Sequence, residues 1–342
     1  MSPPDRFDVV HARLLRFFPE LVEELGGNAD DLLAGAGLER AAIAGARPQV
    51  TYRQLFQLID QTAETLRCAD FGMRLAARQG SNVFGPLGQV MKHSRTFGEA
   101  LAYVGTHAFA HSLAARIWQR RLPGEGGLFS SHDILVEGLT HRGQAIEQIL
   151  LVGHLFAMEL TGGRARVRRV HFRHQPLSPP KVYRRYFGCE VSFGQNEDGV
   201  LYSDHDLAAP IVAPDPEAYQ TAIQFIEARF DRQRPPIHAL VRGVVMQSLW
   251  TGECSNAHVA AELGLHARTL HRRLGDEGTS FQQIKDEVRR DVLRYYLGQT
   301  DLDLSTISEK LGFAEQSVLT RRCRRWFAAT PTQVRQQHRT AA

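Results

Sequence analysis

In the last third of the chain, apolar positions recur at helical spacing in short blocks closed by glycines. Leu304, Ile307 and Leu311 share one face at i, i+3, i+7 spacing, and Gly312 stops the block as a glycine just past a helix does. Phe313 fills the corner. A second block runs from near Glu315 to about Trp326. It turns Val318, Leu319, Cys323 and Trp326 one way and Gln316, Ser317, Thr320, Arg321, Arg324 and Arg325 the other. Helix, tight glycine turn, and second helix with a polar and basic outer face make a helix-turn-helix, whose second helix enters the major groove of DNA.

The same pattern occurs earlier. Leu263-Gly264-Leu265 matches Leu311-Gly312-Phe313 at a spacing of 48 residues, while Leu270, Arg272 and Leu274 match Leu319, Arg321 and Cys323 at 49. Similarity at a fixed period signals duplicated units. Between the copies, Ser280–Leu297 reads as one helix with Phe281, Ile284, Val288, Val292 and Tyr295 or Tyr296 along its seam. Its eighteen residues span about 27 Å at roughly 1.5 Å each. Adjacent major-groove faces lie about 34 Å apart, so with the width of each motif added one chain reaches two successive grooves.

The first reading helix begins near Ala267. Leu270 and Leu274 must face the core, so Arg268, His271 and Arg272 project outward with Thr269 beside them. Arginine pairs bidentately with guanine O6/N7, histidine donates to guanine or phosphate, and glutamine suits adenine N6/N7. Gln316, Ser317, Thr320 and Arg321 hold the equivalent face of the second motif. Arg273, Arg322, Arg324 and Arg325 read as phosphate contacts, the destination of about half or more of protein–DNA hydrogen bonds. His266 and Ala314 stand where each reading helix would be capped and are weak caps, by about 1 kcal/mol each.

Ahead of this region the texture is α+β. Val9–Phe18 and Leu21–Ala36 are amphipathic segments, the second with Gly26-Gly27 at its middle. Thr51–Leu66 is a helix capped by Thr51, and Thr96–Gly105 another, with Thr96 and Glu99 in capping-box register. Phe71–Leu75 is followed by a glycine-punctuated stretch to Gln89. Ala110–Gln119 and Gly127–Val136 alternate as strands around the turn-like 122–127 segment. Arg142–Leu160 is a long helix with Ile146, Ile149, Leu150, Gly153 and Ala157 inward. Arg166–His171, Glu190–Phe193 and Gly199–Ser203 are strands, and Pro179–Phe187 a short helix. Pro216–Arg234 is helical to Phe230 and then polar, and Pro235-Pro236 breaks the chain. The expected organisation is residues 1–215 as an N-terminal effector-binding and dimerisation domain, 216–236 as linker, and 237–342 as a DNA-binding domain.

Charge sharpens this division. From His238 onward there are 15 Lys and Arg against 11 Asp and Glu, while the preceding residues hold 26 of each sign. All net positive charge therefore sits where polyanion binding needs it. Cys68, Cys189, Cys254 and Cys323 are scattered without C-x-x-C spacing, which predicts a reducing compartment and neither a disulfide framework nor a zinc site. The charged start MSPPDRFDVV is unlike a signal peptide, and the longest apolar run, Ile149–Met158, is too short to span a bilayer. The expected location is the cytoplasm, with no membrane contact.

The C-terminal pattern resembles the AraC/XylS family of transcriptional regulators. The match rests on Ile307, Leu311-Gly312-Phe313, Ser317, Leu319, Arg321, Arg324-Arg325-Trp326, Thr330-Pro331 and Arg335, and on Gly278-Thr279-Ser280-Phe281 and Asp286-x-x-Arg289. The family usually has Ala at Ser308, Phe at Cys323, Gly at Ala328 and Ala at Leu293. Residues 32–214 resemble the arabinose-binding-type N-terminal domain of ornithine-utilisation-like regulators, through Phe71-Gly72-x-Arg74-Leu75, Thr96–Leu101 and Tyr183-x-x-x-Phe187-Gly188-x-x-Val191-x-Phe193. The resemblance implies a small-molecule effector domain that helps to form a homodimer. The expected partners are thus double-stranded DNA, an effector, a second copy of the chain and RNA polymerase. No cofactor beyond the effector and no metal is expected. Phe109, His111, Trp118, His154 and His171 are the candidate pocket residues.

Two alternatives compete. A constitutive architectural DNA binder has little use for some 200 N-terminal residues. An enzyme fused to a DNA-binding domain needs catalytic chemistry; His107 and His111 fall at i, i+4 but lack the Glu of an HExxH arrangement, and His171 and His174 merely flank a strand end. No phosphate-cradling glycine loop or G-x-S-x-G elbow is present.

Overall fold

The computed structural model describes residues 6–44, 49–122, 124, 126–139, 142–230 and 235–341. The chain divides into two compact units near Arg234-Pro235.

The N-terminal unit begins with a 3-10 turn (Arg6–Asp8), strand β1 (Val9–His11), a second 3-10 turn (Ala12–Leu15), and helices α1 (Phe18–Glu24), α2 (Ala29–Gly35) and α3 (Arg40–Ala44). Strand β2 (Gln49–Thr51) pairs antiparallel with β1, so Val9–Phe18 is not one helical segment as its amphipathicity suggested. Its Val10 and Val50 are buried partners in a small ribbon, a pairing that local periodicity does not reveal. Leu21–Ala36 splits in two at Gly26, whose φ is +80°. Helix α4 (Tyr52–Thr65) has the expected cap: Thr51 accepts from the Gln54 amide and Gln54 answers, closing a capping box.

Helices α5 (Phe71–Arg78) and α6 (Gly85–His93) occupy the glycine-punctuated stretch. Helix α7 (Phe97–His107) is capped by Thr96, but Glu99 turns to Arg95 instead of closing the box. Strands β3 (Ala115–Leu122) and β4 (Gly127–Ile134) form a hairpin in which Ala115 faces Ile134 and Leu122 faces Gly127. The long helix α8 (Gly143–Thr161) follows, then β5 (Arg169–His171), α9 (Pro180–Phe187), β6 (Glu190–Ser192), β7 (Gly199–Ser203), α10 (Asp204–Leu207) and α11 (Pro216–Phe230). The main sheet has the order β3-β4-β7-β5-β6, antiparallel except for β5 with β6.

Helix α8 is apolar nearly all round because it is covered by α4, α5 and α7. Gly72 lets α5 approach it: a Cβ there would stand 2.1 Å from the Gln144 carbonyl oxygen. The Gln144 side chain locks the contact, accepting from Gly72 N–H at 2.8 Å and donating to the Ala69 carbonyl at 2.7 Å. Helix α11, within the expected 216–236 connection, packs on α6 through Ile226 against Leu87 and Val90.

The C-terminal unit is all helical: α12 (Ile237–Ser248), α13 (Asn256–Glu262), α14 (Ala267–Asp276), α15 (Phe281–Gln299), α16 (Leu304–Lys310), α17 (Gln316–Phe327) and α18 (Pro331–Ala341). Among the described residues no helix is long and apolar enough to cross a membrane.

Candidate nucleic-acid interface and effector cavity

Helices α13 and α14 form one helix-turn-helix and α16 and α17 the other. Leu270 and Leu274 of α14 are buried, as are Leu319 and Cys323 of α17. Burial of these pairs fixes the rotation of each helix and turns the opposite face outward. Arg268, His271, Arg272 and Arg273 are exposed on α14, with Thr269 half-buried beside them. On α17, Gln316, Ser317, Arg321, Arg324 and Arg325 are exposed and Thr320 half-buried. Among the described residues none of these arginines forms an ion pair. Two local bonds modify the second face: Ser317 Oγ donates to Glu315 at 2.9 Å and Thr320 Oγ1 to the Gln316 carbonyl at 3.2 Å.

Arg322 departs from its expected phosphate role. Its guanidinium donates to Asp286 of α15 at 3.0 Å and is partly covered. It stands where Arg273 stands in the first motif, but its side chain joins the second reading helix to the connecting helix. Arg289 performs a related task, donating to the Leu311 and Gly312 carbonyls at 2.9 and 2.8 Å with its guanidinium 4.3 Å from the Phe313 ring centre. The turn itself is tight: Gly312 has φ +63°, and a Cβ there would lie 2.5 Å from the Leu249 carbonyl oxygen. His266 caps α14 with no side-chain bond, as expected; α17 is capped by Glu315 rather than Ala314, also without a bond.

A cavity of about 120 Å³ lies in the N-terminal unit, walled by helices α6, α7 and α8 and by β3, β4 and β7. Phe84, Met91, Leu101 and Phe156 are typical of its surface. The polar lining includes Ser130, Ser131 and His132 of β4 and His111 beyond α7. Burial holds both imidazoles at a pKa of about 4, so both are neutral at ordinary pH. Of the residues expected to line a pocket, His111 is the one that lines this cavity. His154 accepts from the Val167 amide at 3.4 Å, His171 lies against Phe129, Trp118 carries the Arg116 guanidinium, and Phe109 packs near His107. Helix α7 ends at His107, which stacks on Tyr103, so His107 and His111 do not share a helical face. The walls on β4 escaped the sequence reading because Ser130 and Ser131 are ordinary alternating-strand residues.

The sequence matches the model of the arabinose-binding domain of AraC transcription regulators over residues 26–211 and that of a helix-turn-helix domain over residues 259–337. The chain belongs to the AraC family of transcriptional regulators. It is 33% identical over 280 residues to the HTH-type transcriptional regulator VirS of Mycobacterium tuberculosis, covering 82% of each chain. It is 26% identical over 336 residues to the ornithine utilization regulator of Pseudomonas aeruginosa, covering 94% of this chain and 98% of that one. The solved transcriptional regulator CdpR of Pseudomonas aeruginosa aligns with 92% of this chain and 97% of its own at 21% identity, with a TM-score of 0.43.

Membership gives the departures from the AraC pattern a physical meaning. Ala328 sits at φ +54°, a left-handed C-cap conformation that suits the usual glycine. Ser308 is buried, and its hydroxyl has no hydrogen-bond partner among the described residues. Cys323 is fully buried in the second motif's core, which raises its thiol pKa to about 11 and keeps it protonated.

Proposed function

We propose that this AraC-family regulator reads bases with Arg268, His271 and Arg272 of α14 and with Gln316, Ser317, Thr320 and Arg321 of α17. Thr269 flanks the first set, and Arg273, Arg324 and Arg325 hold phosphate. One observation carries the assignment: buried Leu270, Leu274, Leu319 and Cys323 leave these side chains as the outward faces of the two second helices. Residues 237–342 are the DNA-binding domain, and residues 1–215 bind a small-molecule effector and contribute to a homodimer. The regulator works without catalysis, in the cytoplasm, and contacts RNA polymerase at its promoters.

The test starts by selecting a preferred site from random duplexes with the full chain. Arg268→Ala then weakens that site by about 1–3 kcal/mol and relaxes preference at one position, whereas Arg325→Ala weakens specific and non-specific duplexes alike and lowers the salt slope by about 1. Equal loss on both kinds of duplex for both variants rejects the division of roles.

A further inference from the structure

The cavity in the N-terminal unit carries information about what enters it. Among the described residues its lining holds no Asp, Glu, Lys or Arg. Burying an unpaired charge there costs far more than burying a hydroxyl that finds a hydrogen bond. The polar groups it does offer, hydroxyls and neutral imidazoles, each donate or accept, and so match an uncharged partner.

Gly153 is the second observation, independent of the lining chemistry. It lies in the middle of the 19-residue helix α8 and also lines the cavity. A glycine inside a helix is unfavourable by about 1 kcal/mol relative to alanine. Steric crowding does not demand it, because a Cβ built there meets nothing within 4 Å, and its φ is not in the left-handed region. This contrasts with Gly72 one wall away, where backbone leaves no room. What the missing side chain at Gly153 preserves is the open space itself.

We propose that this cavity binds an uncharged, mainly hydrocarbon molecule of roughly half a dozen non-hydrogen atoms, its one polar group set against Ser130, Ser131, His111 and His132, with Gly153 keeping the space free. The size follows from about 120 Å³, a little under the roughly 150 Å³ of an engineered protein cavity that holds benzene. The inference rests on the reading of the N-terminal unit as an effector domain and gives that effector its chemical class.

Three probes of matched shape test it on the full chain by titration calorimetry: pentan-1-ol, pentanoate and pentylammonium. The alcohol binds at least ten-fold tighter than either ion. Gly153→Leu weakens the alcohol at least ten-fold and Gly153→Ala two- to five-fold, while both variants unfold cooperatively at or above the temperature of the parent. Equal or tighter binding of an ion, or failure of the alcohol to bind, overturns the ligand class. Binding of the alcohol that survives Gly153→Leu places it elsewhere and overturns the site. If the alcohol binds at the cavity but leaves affinity for the selected DNA site unchanged, the cavity inference stands and effector control of DNA binding fails.

Discussion

At the scale of single residues, two departures from the AraC pattern cost the C-terminal unit stability. Ala328 holds a left-handed conformation that costs a side-chain-bearing residue roughly 1–2 kcal/mol, against about 0.4–1 kcal/mol of extra chain entropy that a glycine loses on folding. Ala328→Gly therefore stabilises the C-terminal unit by about 0.5–1 kcal/mol, a rise of roughly 2–8 °C in its unfolding temperature. Ser308→Ala removes a buried hydroxyl without a partner and stabilises by about 1 kcal/mol. The two turn glycines separate conformation from contact. Gly264 and Gly312 both have positive φ, but only Gly312 faces a backbone oxygen. Gly264→Ala should cost about 1 kcal/mol and Gly312→Ala clearly more; equal losses in urea unfolding would show that the Leu249 carbonyl yields freely. The sequence exposed these positions as departures, yet their energetic sign required the dihedral angle and the burial, which no single-residue propensity contains.

At the scale of elements, both helix-turn-helix motifs were legible because each has strong local punctuation: an apolar stripe, a glycine turn, then a second stripe whose far side is polar. Helices α5 and α6 were not, since their glycines read as breaks; Gly72 permits close packing on α8, and Gly88 is buried within α6. The β1–β2 ribbon was missed because its pairing joins residues 40 apart, where period alone is silent. Arg322 shows the same limit on a functional side chain. Its charge reads as a phosphate contact, but Asp286 on another helix holds it. Arg322→Ala should lower stability and leave the salt slope of DNA binding almost unchanged, whereas Arg325→Ala lowers the slope and spares stability. A slope reduced by about 1 for Arg322→Ala would return it to the phosphate contacts. Because the pair is partly exposed, the stability loss expected is small, within about 1 kcal/mol.

At the scale of the molecule, the uneven charge marked the DNA-binding half, but the character of the N-terminal interior could not be read from composition. Its titratable groups give the unit a pH optimum. His11, His111, His132 and His154 all have pKa values lowered to about 4, chiefly by burial. An unfolded histidine titrates near 6.5, so between about pH 4 and 6.5 the unfolded chain binds more protons and stability rises with pH. Glu147 works in the opposite sense. Burial raises its pKa to about 8, with the Asp60 and Asp70 charges adding to the rise while the Tyr183 hydroxyl, 2.5 Å away, opposes it. Its native form therefore keeps a proton that the unfolded chain releases near pH 4.5, and stability falls as pH climbs from there to about 8. At pH 6.5 the unfolded histidines are still half protonated, so the four outweigh the one glutamate until about pH 7, above which Glu147 dominates. The N-terminal unit should thus be most stable near pH 7 and lose about half a kcal/mol by pH 8. Glu147→Gln replaces the protonated carboxyl with a neutral group of the same shape, so it should be nearly neutral at pH 5 and abolish the decline above pH 7. Urea unfolding followed by Trp118 fluorescence, in a Trp250→Phe/Trp326→Phe background, isolates this unit. A decline between pH 7 and 8 that persists in Glu147→Gln would mean that another group titrates there and that Glu147 is ionised in the folded protein.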